Sequence, residues 1–388
     1  MGKLISTNHS ALSATILSLD FFQEKNIKVE PLTGGLNNHV YKVISSDGVS
    51  SGASEDVYVA KHFHHYDAWR TESEVQRFLA SRQLAPQVYC AKDQWLVTEY
   101  IEQPSLADAC EEDIYTEQVS NAQNDSAIKS DKRKKLTLNQ KIVQSTAAMA
   151  KLHQLSHKED ASSDGDGTSL TTDKVSTLDE VSALDLPAVL TDLVGQLTEI
   201  EYMGEAPSFQ QSNTQFTKFA QLADVKVLID SFKVGAQKAI NVAHALAKET
   251  NPDELVLVHG DVNFANVFFP KNSASNPLLI DFEAASFAPV SYEIGMFLAI
   301  NQLPLAVFEL INEKYAEYNN NNKLGGSGVV TCYAFCASIV NGIWFLLQAL
   351  ERSEQQHNQQ TIYLAKAKQQ LSYFITLSNI IPNTLFYT

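Results

Sequence analysis

Cysteine is scarce in this chain of 388 residues. The four cysteines, Cys90, Cys110, Cys332 and Cys336, are too few and too scattered for a disulfide framework. The last two are spaced i, i+4 but have no further Cys or His nearby, so we expect core packing rather than a metal site. With no recognisable signal peptide, this composition predicts a protein of the reducing cytoplasm.

Positive charge and long apolar runs are also lacking. The chain has 29 Lys and Arg against 45 Asp and Glu, a net charge of -16, which does not suit the neutralisation of nucleic-acid phosphates. The most apolar window, Val329 to Leu350, is interrupted by Asn341 and Gln348, whereas a bilayer crossing takes roughly 20 apolar residues. We expect neither a nucleic-acid partner nor membrane insertion, and composition leaves the oligomeric state open.

Short β-rich runs follow one another in the first hundred residues. They begin at His39, Val57 and Gln94, and a run with helical spacing ends at Pro86, between the second and the third. The pattern predicts a small antiparallel sheet with one packed helix. Beyond Ile101 the pattern is mostly helical, so the sequence predicts an α+β fold.

Two polar segments interrupt the helical part. Residues 111–135 are dense in charge, and residues 156–205 hold twelve Asp or Glu against two Lys. Such composition predicts loops or mobile insertions. The run "DGDG" within the second segment is not a calcium loop, because Ser169 and Val175 stand where that motif has Gly and Glu.

The informative segments are "HGDVNFAN", from His259, and "IDFE", from Ile280. They place two carboxylates, Asp261 and Asp281, and the amide of Asn266 at strand ends and in the loop between them. Ionised groups in such places need a cationic partner. Magnesium is the natural candidate, because it prefers one or two carboxylates together with substrate phosphates.

The order "HGDxxxxN" followed by "DFE" resembles the catalytic and metal-binding loops of the aminoglycoside phosphotransferase and choline kinase superfamily, which has a protein-kinase-like fold. The resemblance implies ATP and Mg²⁺ as cofactors and a small-molecule hydroxyl as acceptor. It implies that Asp261 accepts the hydroxyl proton and that His259 braces the loop. Asn266 and Asp281, with Glu283, would bind the metal.

The resemblance extends to a two-lobe architecture. It implies an ATP-binding lobe over residues 1–101 and a catalytic and substrate-binding lobe over residues 102–388. In the first lobe, "LTGGLNNHVYKV" is similar to the glycine-bearing first hairpin of the family. Gly34, Gly35 and Asn38 would then contact the ATP phosphates.

Further ATP-site residues follow from the same resemblance. Lys61 matches the ATP-contacting lysine, and Glu72 matches the glutamate that pairs with it, with Glu74 as the alternative on the same helix. Glu99 and Ile101 fall at the hinge whose backbone hydrogen-bonds adenine.

Three local motifs resemble the choline and ethanolamine kinase branch: "DFEAASF", "NGIWFLLQA" and "YLAKAKQQLSYF". They imply ATP-dependent phosphorylation of choline, ethanolamine or a related amino alcohol. Aromatic faces and carboxylates recognise a quaternary ammonium, which makes Trp344, Tyr292 and Glu283 the candidate substrate residues, with Phe287 and Tyr363 as further faces.

Two departures from the branch leave that cage incomplete. Asn341 replaces an aromatic residue of the motif, and Ile300 and Asn301 replace an acidic and an aromatic residue. A less aromatic pocket suits a primary amine, another amino alcohol or a polyol better than choline. The remaining alternatives are an aminoglycoside, thiamine or sugar-like acceptor, and a catalytically silent nucleotide-binding scaffold.

Overall fold

The computed structural model describes part of the chain, in two compact units. The described residues are 15–23, 25–32, 38–46, 56–108, 136–155, 178, 181–205, 223–269, 277–319, 324, 326–351 and 357–381. The first unit comprises Met1–Gln144, Ser163–Val181 and Phe264–Ala285, and the second comprises Ser145–Ser162, Ser182–Asn263 and Ser286–Thr388. Gly34, Gly35 and the predicted insertion at 111–135 lie outside the described residues.

The first unit contains an antiparallel sheet of five described strands in the order β1-β2-β3-β5-β4. The strands are β1 Asn26–Pro31, β2 His39–Ser46, β3 Asp56–His62, β4 Val88–Lys92 and β5 Trp95–Glu99. Alternate residues of β2 and β3 are buried, among them Val43 and Ala60, and Ala60 lies opposite Val97 of β5. These side chains form the core of the sheet because successive side chains of a strand point to opposite faces.

Three of these strands, β2, β3 and β5, occur where the sequence predicts them. The edge strands β1 and β4 were not predicted. The sequence of β1, "NIKVEP", has few apolar residues, and β4 has a register irregularity between Val88 and Cys90. Both strands depend on pairing with a neighbour, which a local pattern does not encode.

One helix, α1 Tyr66–Ala80, follows β3. Its buried residues include Val75, Phe78 and Leu79, as the apolar spacing predicts, and Glu72 is buried with them. A glutamate on the buried face of a helix needs a partner, and this one points to the site described below.

The first unit also contains a small hairpin from a later part of the sequence. Strands β7 Val267–Phe268 and β8 Leu278–Leu279 pair with each other. Leu106 donates its N–H to the carbonyl of Val267 at 2.8 Å, and Leu279 donates to Leu84 at 2.9 Å. These bonds explain why residues 264–285 belong to the first unit, although they lie beyond residue 101.

The described part of the second unit is mostly helical. Its helices are α2 Leu138–Leu155, which begins in the first unit, α3 Leu186–Glu205, α4 Ala223–Glu249, α5 Val290–Ile300, α6 Phe308–Tyr318, α7 Ser327–Glu351 and α8 His357–Ser378. A short antiparallel pair, β6 Val256–Val258 with β9 Ser286–Ala288, lies between α4 and α5 in the sequence. The segment that starts at His259 follows directly after β6.

Helix α3 corrects the interpretation of residues 156–205 as a loop or mobile insertion. Over residues 186–205 that interpretation is wrong. Leu186, Leu190, Leu193 and Leu197 are buried at helical spacing, so the helix is held by its apolar face. The acidic residues of the segment obscured this periodicity.

Among the described residues, α7 is the one helix long and apolar enough to cross a membrane by length and composition. In the structure, 78% of its most apolar window is buried inside the protein. It packs against α5, α4 and α8 and occupies a core position in the second unit.

Candidate active site

A largely buried lysine pairs with two carboxylates in the first unit. Nζ of Lys61 lies 2.7 Å from Oε2 of Glu72 and 2.5 Å from Oδ1 of Asp281. The side chains of Lys61 and Glu72 are 13% and 3% exposed, and that of Asp281 is 36% exposed. Of the two glutamates that the sequence offered, Glu72 is the one whose ion pair with Lys61 the structure shows.

The position of each partner follows from the fold. Lys61 lies on β3, where it faces Val40 of β2 and Leu96 of β5 in the register. Glu72 lies on the buried face of α1, and Asp281 follows the β7–β8 hairpin. The sheet, the helix and the hairpin thus bring three sequence-distant residues together.

Electrostatics keep this lysine charged. Burial opposes the charge, but the carboxylates of Asp281, Glu72 and Glu283 outweigh it and raise the pKa of Lys61 above its usual value. Burial raises the pKa of Glu72, and Lys61 opposes that rise. A permanently charged, well-oriented ammonium is suited to binding phosphate oxygens.

The same unit offers oxygen ligands for a metal ion. Glu72, Asp281 and Glu283 each offer a carboxylate oxygen, and these atoms lie within 4.8 Å of one another. Asn266 is buried at the end of the preceding loop, where its carbonyl accepts the N–H of Ile280 at 3.1 Å. Carboxylate and amide oxygens are the ligands that Mg²⁺ prefers, so the donor set fits this ion.

Backbone conformation and a further contact fix the carboxylates. Asp281 has φ of 69°, a left-handed conformation that non-glycine residues adopt at few positions. Asn38 donates from Nδ2 to Oε2 of Glu283 at 2.9 Å. Asn38, which the sequence assigned to the ATP hairpin, therefore contacts a predicted metal ligand directly.

The first part of the predicted catalytic loop, residues 259–263, lies in the second unit, directly after β6. Gly260 has φ of 77°, which turns the chain sharply and which glycine adopts without strain. The N–H of Asp261 donates to Nδ1 of the buried His259 at 3.2 Å. The side chain of Asn263 donates to both carboxylate oxygens of Asp261 at 3.1 Å. These bonds orient the Asp261 carboxylate.

Glu293 of α5 and Asn301, the residue after that helix, hold the catalytic loop. The sequence analysis assigned no role in the site to either residue. The carboxylate of Glu293 accepts the N–H of His259 at 2.5 Å and the N–H of Gly260 at 3.1 Å. Asn301 donates from Nδ2 to the carbonyl of Val262 at 2.9 Å. One signal was present in the sequence: Glu293 is the only ionisable acid in the apolar run of α5.

Tyr292 and Trp344, the two aromatic residues predicted to bind the acceptor, each meet another aromatic ring of the second unit. Tyr292 is buried and meets Tyr333 edge-on, with ring centroids 5.9 Å apart. Burial raises the pKa of the Tyr292 phenol, and the negative charges of Glu293 and Asp261 add to the rise. Trp344 contacts Tyr363 of α8, with ring centroids 6.1 Å apart.

The predicted hinge residues lie at and just after the end of β5. Glu99 is the last residue of β5, and its N–H donates to the carbonyl of Gln87 at 2.9 Å. Ile101 follows two residues later. Their proposed backbone contacts with adenine stay a prediction.

Comparison with known proteins places these features in a family. A family model described as choline/ethanolamine kinase matches residues 29–324. An ethanolamine kinase from Plasmodium vivax is 14% identical, with a TM-score of 0.55 over 96% of this chain and 89% of that chain. A choline kinase from Cryptosporidium parvum is 15% identical, with a TM-score of 0.54 over 96% and 99% of the two chains.

A spectinomycin phosphotransferase is also similar, at 13% identity and a TM-score of 0.52 over 94% of this chain and 98% of that chain. A search of curated protein sequences gives no match. The structural neighbours confirm the predicted kinase-like α+β fold. The family model matches more than half of the length of this chain, and the chain therefore belongs to the choline/ethanolamine kinase family.

Proposed function

We propose that this protein is an ATP- and Mg²⁺-dependent kinase that phosphorylates a hydroxyl of choline, ethanolamine or a related amino alcohol. The observation that carries the proposal is the Lys61 ion pair with Glu72 and Asp281. The pairing supplies a fixed cation for phosphate oxygens beside carboxylates suited to a metal ion. Membership of the family supports the same chemistry.

The nucleotide-binding part of the function belongs to residues of the first unit. Lys61 would contact the ATP phosphates, with Glu72 holding the lysine in place. Asp281, Glu283 and Asn266 would hold Mg²⁺. When bound, this ion neutralises charge on the phosphate oxygens. Asn38, which donates to Glu283, would keep that carboxylate oriented beside the bound nucleotide.

The proton-accepting part belongs to Asp261. In the transfer step, the substrate hydroxyl oxygen forms a bond to the terminal phosphorus of ATP, and the bond between that phosphorus and the bridging oxygen breaks. The electron pair of the broken bond leaves with ADP, and the hydroxyl proton passes to an Asp261 oxygen. Because such transition states are loose, catalysis depends mainly on positioning and charge. The hydrogen bonds from Asn263 supply that positioning.

The proposed amino alcohol would be bound by two aromatic side chains, Tyr292 and Trp344. The negative charges of Asp261 and Glu293 act on Tyr292, which places the phenol in the field of the proposed base. Burial and these charges keep Tyr292 neutral, so it can donate a hydrogen bond to an acceptor hydroxyl or offer its ring to a cation. Trp344, half-buried beside Tyr363, would offer a second aromatic face.

The test is release of ADP from ATP and Mg²⁺ across choline, ethanolamine, other amino alcohols, thiamine, sugars and aminoglycosides. Asp261→Asn serves as the blank, because it preserves side-chain shape and removes the base. We expect turnover with one amino alcohol, lost in the blank, while nucleotide binding persists.

Asp261-dependent turnover with another acceptor alone would retain the kinase and overturn the amino-alcohol assignment. Absence of turnover with every acceptor, combined with tight ATP binding, would instead establish a nucleotide-binding scaffold.

A further inference from the structure

Three histidines lie together at one end of the sheet of the first unit, where β2 begins and β3 ends. We propose that His39, His62 and His64 form a binding site for a divalent transition-metal cation such as Zn²⁺. His39 and His62 are opposite each other in the register of β2 and β3. The ring of His64, two residues beyond the end of β3, has its centroid 4.9 Å from that of His39 and 6.4 Å from that of His62.

The separations of the rings suit coordination of a shared metal ion. Zinc binds imidazole nitrogens at about 2.0–2.1 Å in a tetrahedral arrangement, so two rings on one ion have centroids about 5 Å apart. The distance between His39 and His64 matches this value, and the distance between His62 and His64 is somewhat longer. His64 is exposed, so rotation of its side chain can bring its ring nitrogens into position for an ion.

A ring nitrogen of His62 is an independent indication of a ligand. The ring of His62 packs against Trp95 of β5, with centroids 4.7 Å apart, and this contact fixes its place on the sheet. Its Nδ1 is buried and, among the residues that the structure describes, has no hydrogen-bond partner. A buried polar atom without a partner costs free energy. Coordination of a cation at this nitrogen would remove that cost.

The surroundings of two of these histidines favour the neutral ring that a metal ion requires. Burial lowers the pKa of His62, and His64 lowers it further. Burial and the neighbouring His65 lower the pKa of His64. At neutral pH each of these two rings therefore keeps one nitrogen lone pair available, and a cation does not have to displace a proton to bind there.

The chemistry of the ligands separates this site from the carboxylate ligands of the candidate active site. Imidazole nitrogen suits zinc, copper and nickel, whereas Mg²⁺ prefers oxygen ligands such as those of Asp281 and Glu283. The strand geometry separates the two sites as well. His62 follows Lys61 in β3, and successive side chains of a strand point to opposite faces of the sheet. A cation at the histidines therefore leaves the face of Lys61 open to its own ligands.

A metal ion at this place would join two segments that carry proposed nucleotide-binding residues. Asn38 directly precedes His39, and Lys61 directly precedes His62. The backbone N–H of His64 also donates to Oδ1 of Asn38 at 3.4 Å. An ion that fixes the histidines therefore restrains the segments of Asn38 and Lys61. The relation to ATP rests on the proposed function, whereas metal binding itself does not.

The first experiment titrates Zn²⁺ into the full chain, purified without a polyhistidine tag, and measures the heat of binding. Excess Mg²⁺ is present to occupy the carboxylate ligands. We expect the Kd for Zn²⁺ to rise by about tenfold or more in His64→Gln and in His62→Gln, because each substitution removes one ligand. His64 is exposed, so its replacement should leave the fold intact. His244→Gln, at an exposed position of α4, is the matched control and should keep the Kd of the parent.

Electron paramagnetic resonance with Cu²⁺, which imidazole also binds, identifies the ligand atoms. We expect nitrogen couplings in the spectrum of the parent and weaker ones in His64→Gln. A spectrum with oxygen ligands alone would overturn the proposal. A Kd for Zn²⁺ that is unchanged in His64→Gln, or that rises equally in His244→Gln, would also overturn it. Neither measurement needs turnover, so a protein without kinase activity would overturn the proposed function and leave the metal site measurable.

Discussion

Lys61 and Asp281 are 220 residues apart in the sequence, and their charged atoms lie 2.5 Å apart. Glu72 shares the same ammonium, so one cation neutralises two carboxylates within the first unit. The arrangement makes Lys61 both a proposed phosphate ligand and a structural counter-ion. Replacing it has consequences for stability as well as for nucleotide binding.

Lys61→Met should weaken ATP binding and destabilise the protein. Removing one partner of a buried pair leaves the other charges uncompensated, at a cost of about 3 kcal/mol. Urea unfolding and ATP titration measure the two effects. Lys92→Met is the matched control, because Lys92 pairs with Asp20 on the surface and should change neither quantity appreciably. Equal behaviour of the two variants would contradict the assignment.

Asn301→Ala should lower kcat by about tenfold while leaving the KM for ATP nearly unchanged. The substitution removes the donor to the carbonyl of Val262, one residue after the proposed base. Steady-state kinetics and an ATP titration provide the measurement. Asn251→Ala is the matched control, since Asn251 caps a short helical turn before β6 and should affect stability alone. A fall in kcat of the same size in the control would remove the case for Asn301.

Gly295→Ala and Gly195→Ala should change stability in opposite directions. A Cβ at Gly295 would lie 2.6 Å from Cβ of Tyr333 and 2.7 Å from the backbone nitrogen of Ala334, so α5 and α7 would have to separate. Such overpacking costs about 1–3 kcal/mol. Nothing lies within 4 Å of a Cβ at Gly195, an exposed position in α3. Alanine there should stabilise the helix by about 0.5–1 kcal/mol.

Chemical denaturation of both glycine variants measures the difference. A Gly295→Ala protein as stable as the parent would show that the two helices do not pack as closely as described. Loss of stability in Gly195→Ala would contradict the helical, exposed position of that residue.

Stability should fall as the pH drops below about 6.5, through two histidines of the first unit. Burial lowers the pKa of His62, and the neighbouring His64 lowers it further. Burial and His65 lower the pKa of His64. The folded protein therefore binds fewer protons than the unfolded chain in this range, so the stabilisation present at neutral pH is lost as the pH falls.

Urea unfolding between about pH 8 and about pH 5, followed by tryptophan fluorescence, checks this dependence. The double variant His62→Gln, His64→Gln should flatten the profile below about pH 6.5. His244→Gln, at an exposed position of α4, is the control. An unchanged slope in the double variant would assign the pH dependence to other groups.

Residue patterns were sufficient for the parts of the fold and the site that have local signatures. The strands β2, β3 and β5 show apolar β-rich runs. The resemblance to the kinase family implied the pairing of Lys61 with Glu72, and the structure shows that contact. For the hairpin β7–β8, the sequence predicted only the strand that ends at "DFE" and not its partner strand. Its association with Leu84 and Leu106 depends on tertiary contacts.

The supports of the catalytic loop could not be read from local patterns. Glu293 and Asn301 bind backbone groups of a segment more than thirty residues earlier in the sequence, as the separations of 34 and 39 residues show. A contact with backbone leaves no complementary side chain in the sequence to identify it. Helix α3 was missed for another reason, since eight of the twelve acidic residues of segment 156–205 precede the helix and determined the interpretation of the whole segment.

Because Glu293 accepts hydrogen bonds from the main chain, the helix and the loop differ in the amino-acid substitutions that they tolerate. Every amino acid except proline offers the same N–H group, so the acid does not discriminate between side chains at the position of His259. Its two bonds survive a change of side chain there, as long as the chain still turns at Gly260. If Glu293 is replaced, the two main-chain N–H groups lose their acceptor. No substitution of loop side chains restores it. For these two bonds the tolerance to substitution is therefore one-sided: Glu293 is required in the helix, and the side chain of His259 matters only for its separate bond with the N–H of Asp261.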